Sequence, residues 1–81
     1  MNIAGVLVHS RPDASVAVQR ALAALPGVEV HAADDGRIVV TVEGDDADVL
    51  ADTFRRFHDL AGVLSAAMVY HHFEPDSGQE S

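Results

Sequence analysis

Apolar residues follow two rhythms along this chain, and the change from one to the other marks its elements. Ile3 to His9 is a β-rich run that stops at Ser10-Arg11-Pro12-Asp13. From there Ala14, Val18, Ala21, Leu22 and Leu25 recur at spacings of three and four, which predicts a helix with one buried face. Pro12 suits a first helical turn, where its missing N–H costs nothing, and Asp13 complements the positive helix start. Leu25-Pro26-Gly27 ends this helix, with glycine free to take a left-handed turn. Val28 to His31 alternates like a half-buried strand, Ala33-Asp34-Asp35-Gly36 is turn chemistry, and Arg37 to Glu43 returns as the second arm of a hairpin. Gly44-Asp45-Asp46 offers an N-cap to a second helical stripe of Ala47, Leu50, Phe54, Phe57 and Ala61. Gly62 is expected to end that helix, and Val63 to Tyr70 is the last strand.

The order is βαββαβ, and Leu25-Pro26-Gly27-Val28 and Leu60-Ala61-Gly62-Val63 mark the same junction in each half. Right-handed crossovers close two such β-α-β units into a ferredoxin-like α+β fold. The expected sheet is four-stranded and antiparallel, in order 4-1-3-2, with both helices on one face. Residues 1–73 form this single domain, and residues 74–81, polar and rich in acid, are expected to be a disordered tail.

Two helices cover only one side of such a sheet. The period of two along a strand sorts the residues between the sides. The sets containing His9, Glu43 and Tyr70 are assigned to the open side, because charged and amphipathic residues tolerate water. That side is expected to carry Ile3, Leu7, Val39, Leu64, Met68 and Tyr70, rimmed by His9, Glu29, His31, Arg37 and Glu43. An apolar patch with a polar rim marks a partner site, and Met and Tyr suit adaptable contact with a peptide. A second copy of the chain, or the tail, is the other possible cover.

Composition narrows the chemistry. In 81 residues there are five basic and thirteen acidic side chains, a formal charge of −8. That charge opposes phosphate backbones and anionic lipid, so nucleic acid is not expected to bind. It either attracts a cationic partner or simply keeps the protein soluble, and so excludes nucleic acid better than it selects a partner. No cysteine is present, which removes disulfides, thiolate metal sites and thiol catalysis. The apolar runs are of strand length, far below the roughly 20 residues of a membrane span. Met1-Asn2-Ile3-Ala4-Gly5 lacks the basic start of an export signal, which leads to the expectation of a cytoplasmic protein.

No constellation argues for catalysis. Of the five histidines only His71 and His72 are adjacent, and neighbouring strand residues point to opposite faces, so they chelate poorly. Asp34-Asp35-Gly36 reads as a hairpin turn and Asp45 to Asp48 as a helix cap, not as cation loops. Ser10, Ser15 and Ser65 lack a nucleophile elbow, and no Gly-rich phosphate loop occurs. The expectation is a binding module that is not an enzyme and carries no metal or cofactor.

In order along the chain, Ile3 to His9 with Ser10-Arg11-Pro12, then Leu25-Pro26-Gly27-Val28-Glu29-Val30, then Gly36-Arg37-Ile38-Val39-Val40 resemble the NapD family. The strongest match is Gly62-Val63-Leu64-Ser65-Ala66-Ala67-Met68-Val69-Tyr70-His71, where the family shows G-V-L-x-x-x-L-V-Y-H. Methionine at 68 replaces the usual leucine. The resemblance spans about residues 3 to 73. It implies a cytoplasmic chaperone for NapA, the catalytic subunit of periplasmic nitrate reductase. Such a chaperone binds the enzyme's twin-arginine signal peptide on the sheet face opposite the helices and holds back export during cofactor insertion, while carrying no cofactor itself. A monomer is expected, with a weak dimer as the alternative. The signal-peptide site would comprise Ile3, Leu7, His9, Glu29, Val39, Glu43, Leu64, Met68 and Tyr70. The competing readings on the same topology are an amino-acid-sensing domain of the ACT or AsnC type and an acylphosphatase-like enzyme. The first lacks an evident Gly-rich ligand loop near Ser10-Arg11-Pro12. The second lacks its asparagine, Asn2 being the only one in the chain.

Overall fold

The computed structural model describes residues 1–73, so the expected acidic tail lies outside the described residues. Strand β1 (Asn2–Ser10) leads through a 3-10 turn (Pro12–Ala14) into α1 (Ser15–Ala23). Strands β2 (Val28–Asp34) and β3 (Arg37–Gly44) form a hairpin, and α2 (Ala47–Phe57) precedes β4 (Val63–Phe73). The sheet order is β2-β3-β1-β4, antiparallel throughout, which read from the other edge is 4-1-3-2. This is the expected ferredoxin-like fold.

Local chemistry explains where each element starts and stops. Asp35 (φ 53°) and Gly36 (φ 87°) both adopt positive φ, as a two-residue hairpin turn of the mirror-image type requires. The Asp46 carboxylate accepts a hydrogen bond of 3.0 Å from the Val49 N–H and caps α2. Asp48 lies in the first turn of α2 and Arg55 and Arg56 in its last, each of the sign the helix dipole favours there. The repeated junction is structural as well as sequential. The Leu25 carbonyl accepts from the Val28 N–H, and the Leu60 carbonyl from the Val63 N–H, both at 3.2 Å. Gly27 and Gly62 supply the positive φ in these two turns.

Several boundaries differ from the periodicity: β2 runs on to Asp34 and β4 to Phe73, and both helices are shorter than expected. Pro12-Asp13-Ala14 turns more tightly than an α-helix, so α1 itself begins at Ser15. Helix α2 ends at Phe57 rather than running to Gly62, and Ala61 is exposed instead of joining the buried stripe. The tighter bonds from the His58 N–H to the Arg55 carbonyl and from the Asp59 N–H to the Arg56 carbonyl close the last turn there.

The core lies between the sheet and both helices. Ala4, Val6 and Val8 of β1 and Ile38, Val40 and Val42 of β3 meet Val18 and Leu22 of α1 and Leu50 and Phe57 of α2. Each large side chain buried this way contributes about 1.5–3 kcal/mol relative to exposure. Among the described residues no buried side-chain nitrogen or oxygen lacks a hydrogen-bond partner. Among the described residues nothing of this kind covers the side of the sheet away from the helices.

Candidate functional site

Cross-strand register organises the uncovered side into four rows, because directly opposed residues of an antiparallel pair point the same way. At one end Glu43, Ile3 and His72 stand side by side. Next come Glu29, Thr41, Gly5 and Tyr70, then Ala32, Val39, Leu7 and Ala67, and last Asp34, Arg37, His9 and Ser65. The third row is wholly apolar, the second joins Glu29 and Thr41 to the Tyr70 ring over Gly5, and Val39 (43% exposed) and Tyr70 (50%) are open to solvent. Leu7 and Val39 floor a shallow depression of about 290 Å³ whose walls are Ala32, Ala33, Asp34 and Arg37.

Polar contacts fix the margin of this face. His31 is the extra residue of an irregularity in the β2–β3 ladder, and its Nε2 shares a hydrogen bond of 2.7 Å with Thr41 Oγ1. The same nitrogen lies 4.0 Å from the Glu29 carboxylate. His9 Nδ1 and Ser65 Oγ are 3.4 Å apart on the neighbouring strands. Among the described residues Glu43 makes no ion pair, and Glu29 has only the His31 contact. Arg11 pairs with Asp13, and Arg55 and Arg56 with Asp52, away from this face.

Tyr70 is seated by a missing side chain. Its ring lies across Gly5, where a Cβ would fall within the ring itself. Glycine at this position therefore lets the aromatic lie over the backbone of β1 between Ile3 and Leu7.

The expected site residues Ile3, Leu7, His9, Glu29, Val39, Glu43 and Tyr70 come together on this face, with His31 and Arg37. Leu64 and Met68 do not, and the assignment of β4 is corrected accordingly. The β1–β4 ladder shifts between Gly5 and Val6 and again between His9 and Ser10. Each shift inserts one unmatched residue and reverses the alternation that follows. Met68 thus stands opposite Val6, in the row beneath the helices, and Ala66 packs against the core. Leu64 is the unmatched residue of the second shift, highly exposed but in no row with Leu7 or His9. Their places on the open face are taken by Ser65 and Ala67, which strict alternation had put under the helices. The hydroxyl of Ser65 was a legible warning, since it would need a hydrogen-bond partner within an apolar layer.

Among the described residues no three His, Asp or Glu side chains gather in a metal-holding group. No helix among them is long and apolar enough to cross a membrane.

The family model described as NapD protein matches residues 1–75. The chain belongs to the NapD family. Curated relatives called Chaperone NapD include one from Paracoccus pantotrophus, 31% identical over 81 residues, which span 100% of this chain and 72% of the relative. Another, from Escherichia coli, is 30% identical over 81 residues, covering 98% of this chain and 92% of the relative. The solution structure of the E. coli NapD, described as a Tat proofreading chaperone, superposes with a TM-score of 0.81 at 28% identity over 98% of this chain and 84% of that one. An AsnC-family transcriptional regulator from Pyrococcus furiosus also superposes (TM-score 0.74), but at 16% identity over 96% of this chain and 55% of that one. That likeness extends to the fold alone.

Proposed function

We propose that this NapD-family chaperone binds the twin-arginine signal peptide of a periplasmic nitrate reductase catalytic subunit of the NapA type. In this role it acts in the cytoplasm, without catalysis and as a monomer. The observation that carries the reading is the uncovered face itself: apolar rows built on Leu7, Val39 and Tyr70, with the carboxylates of Glu29 and Glu43 at its margin. A twin-arginine signal combines a cationic start with an apolar stretch that can fold as a helix, the same two chemistries in one segment.

The apolar side of the peptide lies on Ile3, Leu7, Val39 and Tyr70. Glu29 and Glu43 receive the arginines in charge-assisted hydrogen bonds, which are shorter and stronger than neutral ones. The formal charge of −8 draws a cationic segment in from a distance. His9 borders the far end of the apolar rows. Burial of about 800 Å² per partner makes an ordinary interface, and ordering the peptide offsets much of the gain. An occupied signal cannot engage the export machinery, so restraint lasts as long as the peptide stays bound, and the client has time to receive its cofactors. The chaperone contributes only binding energy.

Amide chemical-shift mapping with a twin-arginine signal peptide tests the site. The expected perturbations lie on β1 and β3 and at Tyr70, with α1 and α2 little affected. Perturbations concentrated on the helices or on the β1–α1 loop would contradict this site.

A further inference from the structure

The charges of the open face are distributed unequally between its two ends. Toward one end stand Glu43 and Glu29, with His31 beside Glu29 and His72 in the Glu43 row on the far side of Ile3. At the other, Asp34 and Arg37 oppose each other across the β2–β3 ladder, with His9 and Ser65 in the same row. Among the described residues the first end therefore carries the carboxylates of Glu29 and Glu43 and no guanidinium, whereas the second carries the Arg37 guanidinium with the carboxylates of Asp34 and the turn residue Asp35. Arg37 is the arginine that shares this face: Arg11, Arg55 and Arg56 pair with aspartates elsewhere, and Arg20 is exposed on α1. Between the ends the apolar rows lie along β1 and β3. The β3 stretch from Glu43 to Arg37 spans roughly 20 Å at the rise of a strand, the length of about 13 residues of α-helix.

We infer that the bound peptide has one direction on this face, its amino-terminal end at Glu29 and Glu43 and its carboxy-terminal end at Arg37 and His9. This rests on the signal-peptide reading above and adds its polarity. Two electrostatic effects agree. The cationic start of the peptide is attracted to the two carboxylates and, in the reverse direction, would meet Arg37. A helical peptide also carries partial positive charge at its amino end and partial negative charge at its carboxy end. The carboxylates match the first and the Arg37 guanidinium the second. Direction matters for the client, because the mature protein follows the carboxy-terminal end of its signal. In this direction the folded client emerges beside the Asp34–Arg37 hairpin end, and the twin arginines are enclosed at the opposite end of the sheet.

Paramagnetic labelling distinguishes the two directions. The chain has no cysteine, so a nitroxide attached through a single cysteine marks only the peptide. A label at the peptide's amino end is expected to broaden the amide signals of Ile3, Glu29 and Glu43, and a label at its carboxy end those of His9 and Arg37. Charge exchange sharpens the test: in a Glu29→Gln, Glu43→Gln, Arg37→Glu triple variant the two broadening patterns should lose their separation or swap. Opposite broadening in the unaltered protein, or the same pattern from both labels, overturns the direction while leaving signal binding intact. Absence of saturable binding by either labelled peptide and by the unlabelled one overturns the signal-peptide reading as well.

Discussion

Met68 stands opposite Val6 and Tyr70 opposite Gly5, so two β4 residues only two positions apart leave the sheet on opposite sides. The unmatched residue between them, Val69, absorbs the change. The open face is thereby defined by Leu7, Val39, Ala67 and Tyr70, and Met68 is outside it despite being 43% exposed. Val39→Glu should lower signal-peptide affinity at least tenfold, about 1.4 kcal/mol, because it puts a charge in the apolar rows. Met68→Glu should leave affinity nearly unchanged. Calorimetry on both variants, with circular dichroism to check the fold, compares them. Equal losses would return Met68 to the site.

The ring of Tyr70 occupies the space that a side chain at position 5 would need. Gly5→Ala is expected to displace the ring into a poorer rotamer at a cost of roughly 0.5–1.5 kcal/mol. It should also weaken peptide binding by altering the contact surface. Adding Tyr70→Ala removes the clash, so the stability effects of the two substitutions should be non-additive in a denaturant double-mutant cycle. Additive effects would mean that the ring does not depend on the glycine.

Stability and binding separate at α2. Asp46→Ala removes the acceptor for the Val49 N–H and should cost about 0.5–2 kcal/mol. Because the cap lies in the helix layer, peptide affinity at temperatures where the protein is folded should stay within twofold. Phe57→Ala, which empties a fully buried site, should cost about 3–5 kcal/mol. That is a large share of the 5–15 kcal/mol typical of a whole domain, so extensive unfolding is expected in a thermal melt.

The margin carboxylates predict a salt effect. Attraction between exposed charges is screened over about 8 Å at physiological ionic strength, so affinity for a cationic signal should fall as salt rises. Glu29→Gln with Glu43→Gln should both weaken binding and flatten that dependence. A salt slope unchanged in the double variant would locate the electrostatic attraction in the overall charge of the protein rather than at these two residues.

Most of the fold could be read from spacing and turn chemistry. Asp35-Gly36 marked the hairpin, the paired Pro/Ala-Gly-Val junctions marked both strand entries, and the apolar stripes of Val18 and Leu22 and of Leu50 and Phe57 are buried as their period requires. The open face was legible on β1 and β3, where alternation is unbroken from Ile3 to His9 and from Arg37 to Glu43. On β4 it was not. Leu64 to Tyr70 has a regular pattern of apolar and small residues, and either register buries some of them. The two shifts are set by how the edge strand fits against β1 and the residues packed beside it, a three-dimensional constraint that local periodicity does not contain. The seat of Tyr70 on Gly5 likewise depends on pairing residues 65 positions apart. The ordered short motifs, with the final Val-Tyr-His, carried the resemblance to the NapD family, and the family model matching residues 1–75 shows the membership.

Calorimetric titration of the full chain with a twin-arginine signal peptide, beside a version whose two arginines are lysines, tests the central claim most directly. Saturable binding that weakens or disappears in the lysine version is the predicted result, since lysine keeps the charge but loses the planar, forked donor geometry that a carboxylate accepts. Absence of heat and of NMR shifts with either peptide into the high micromolar range would contradict the account.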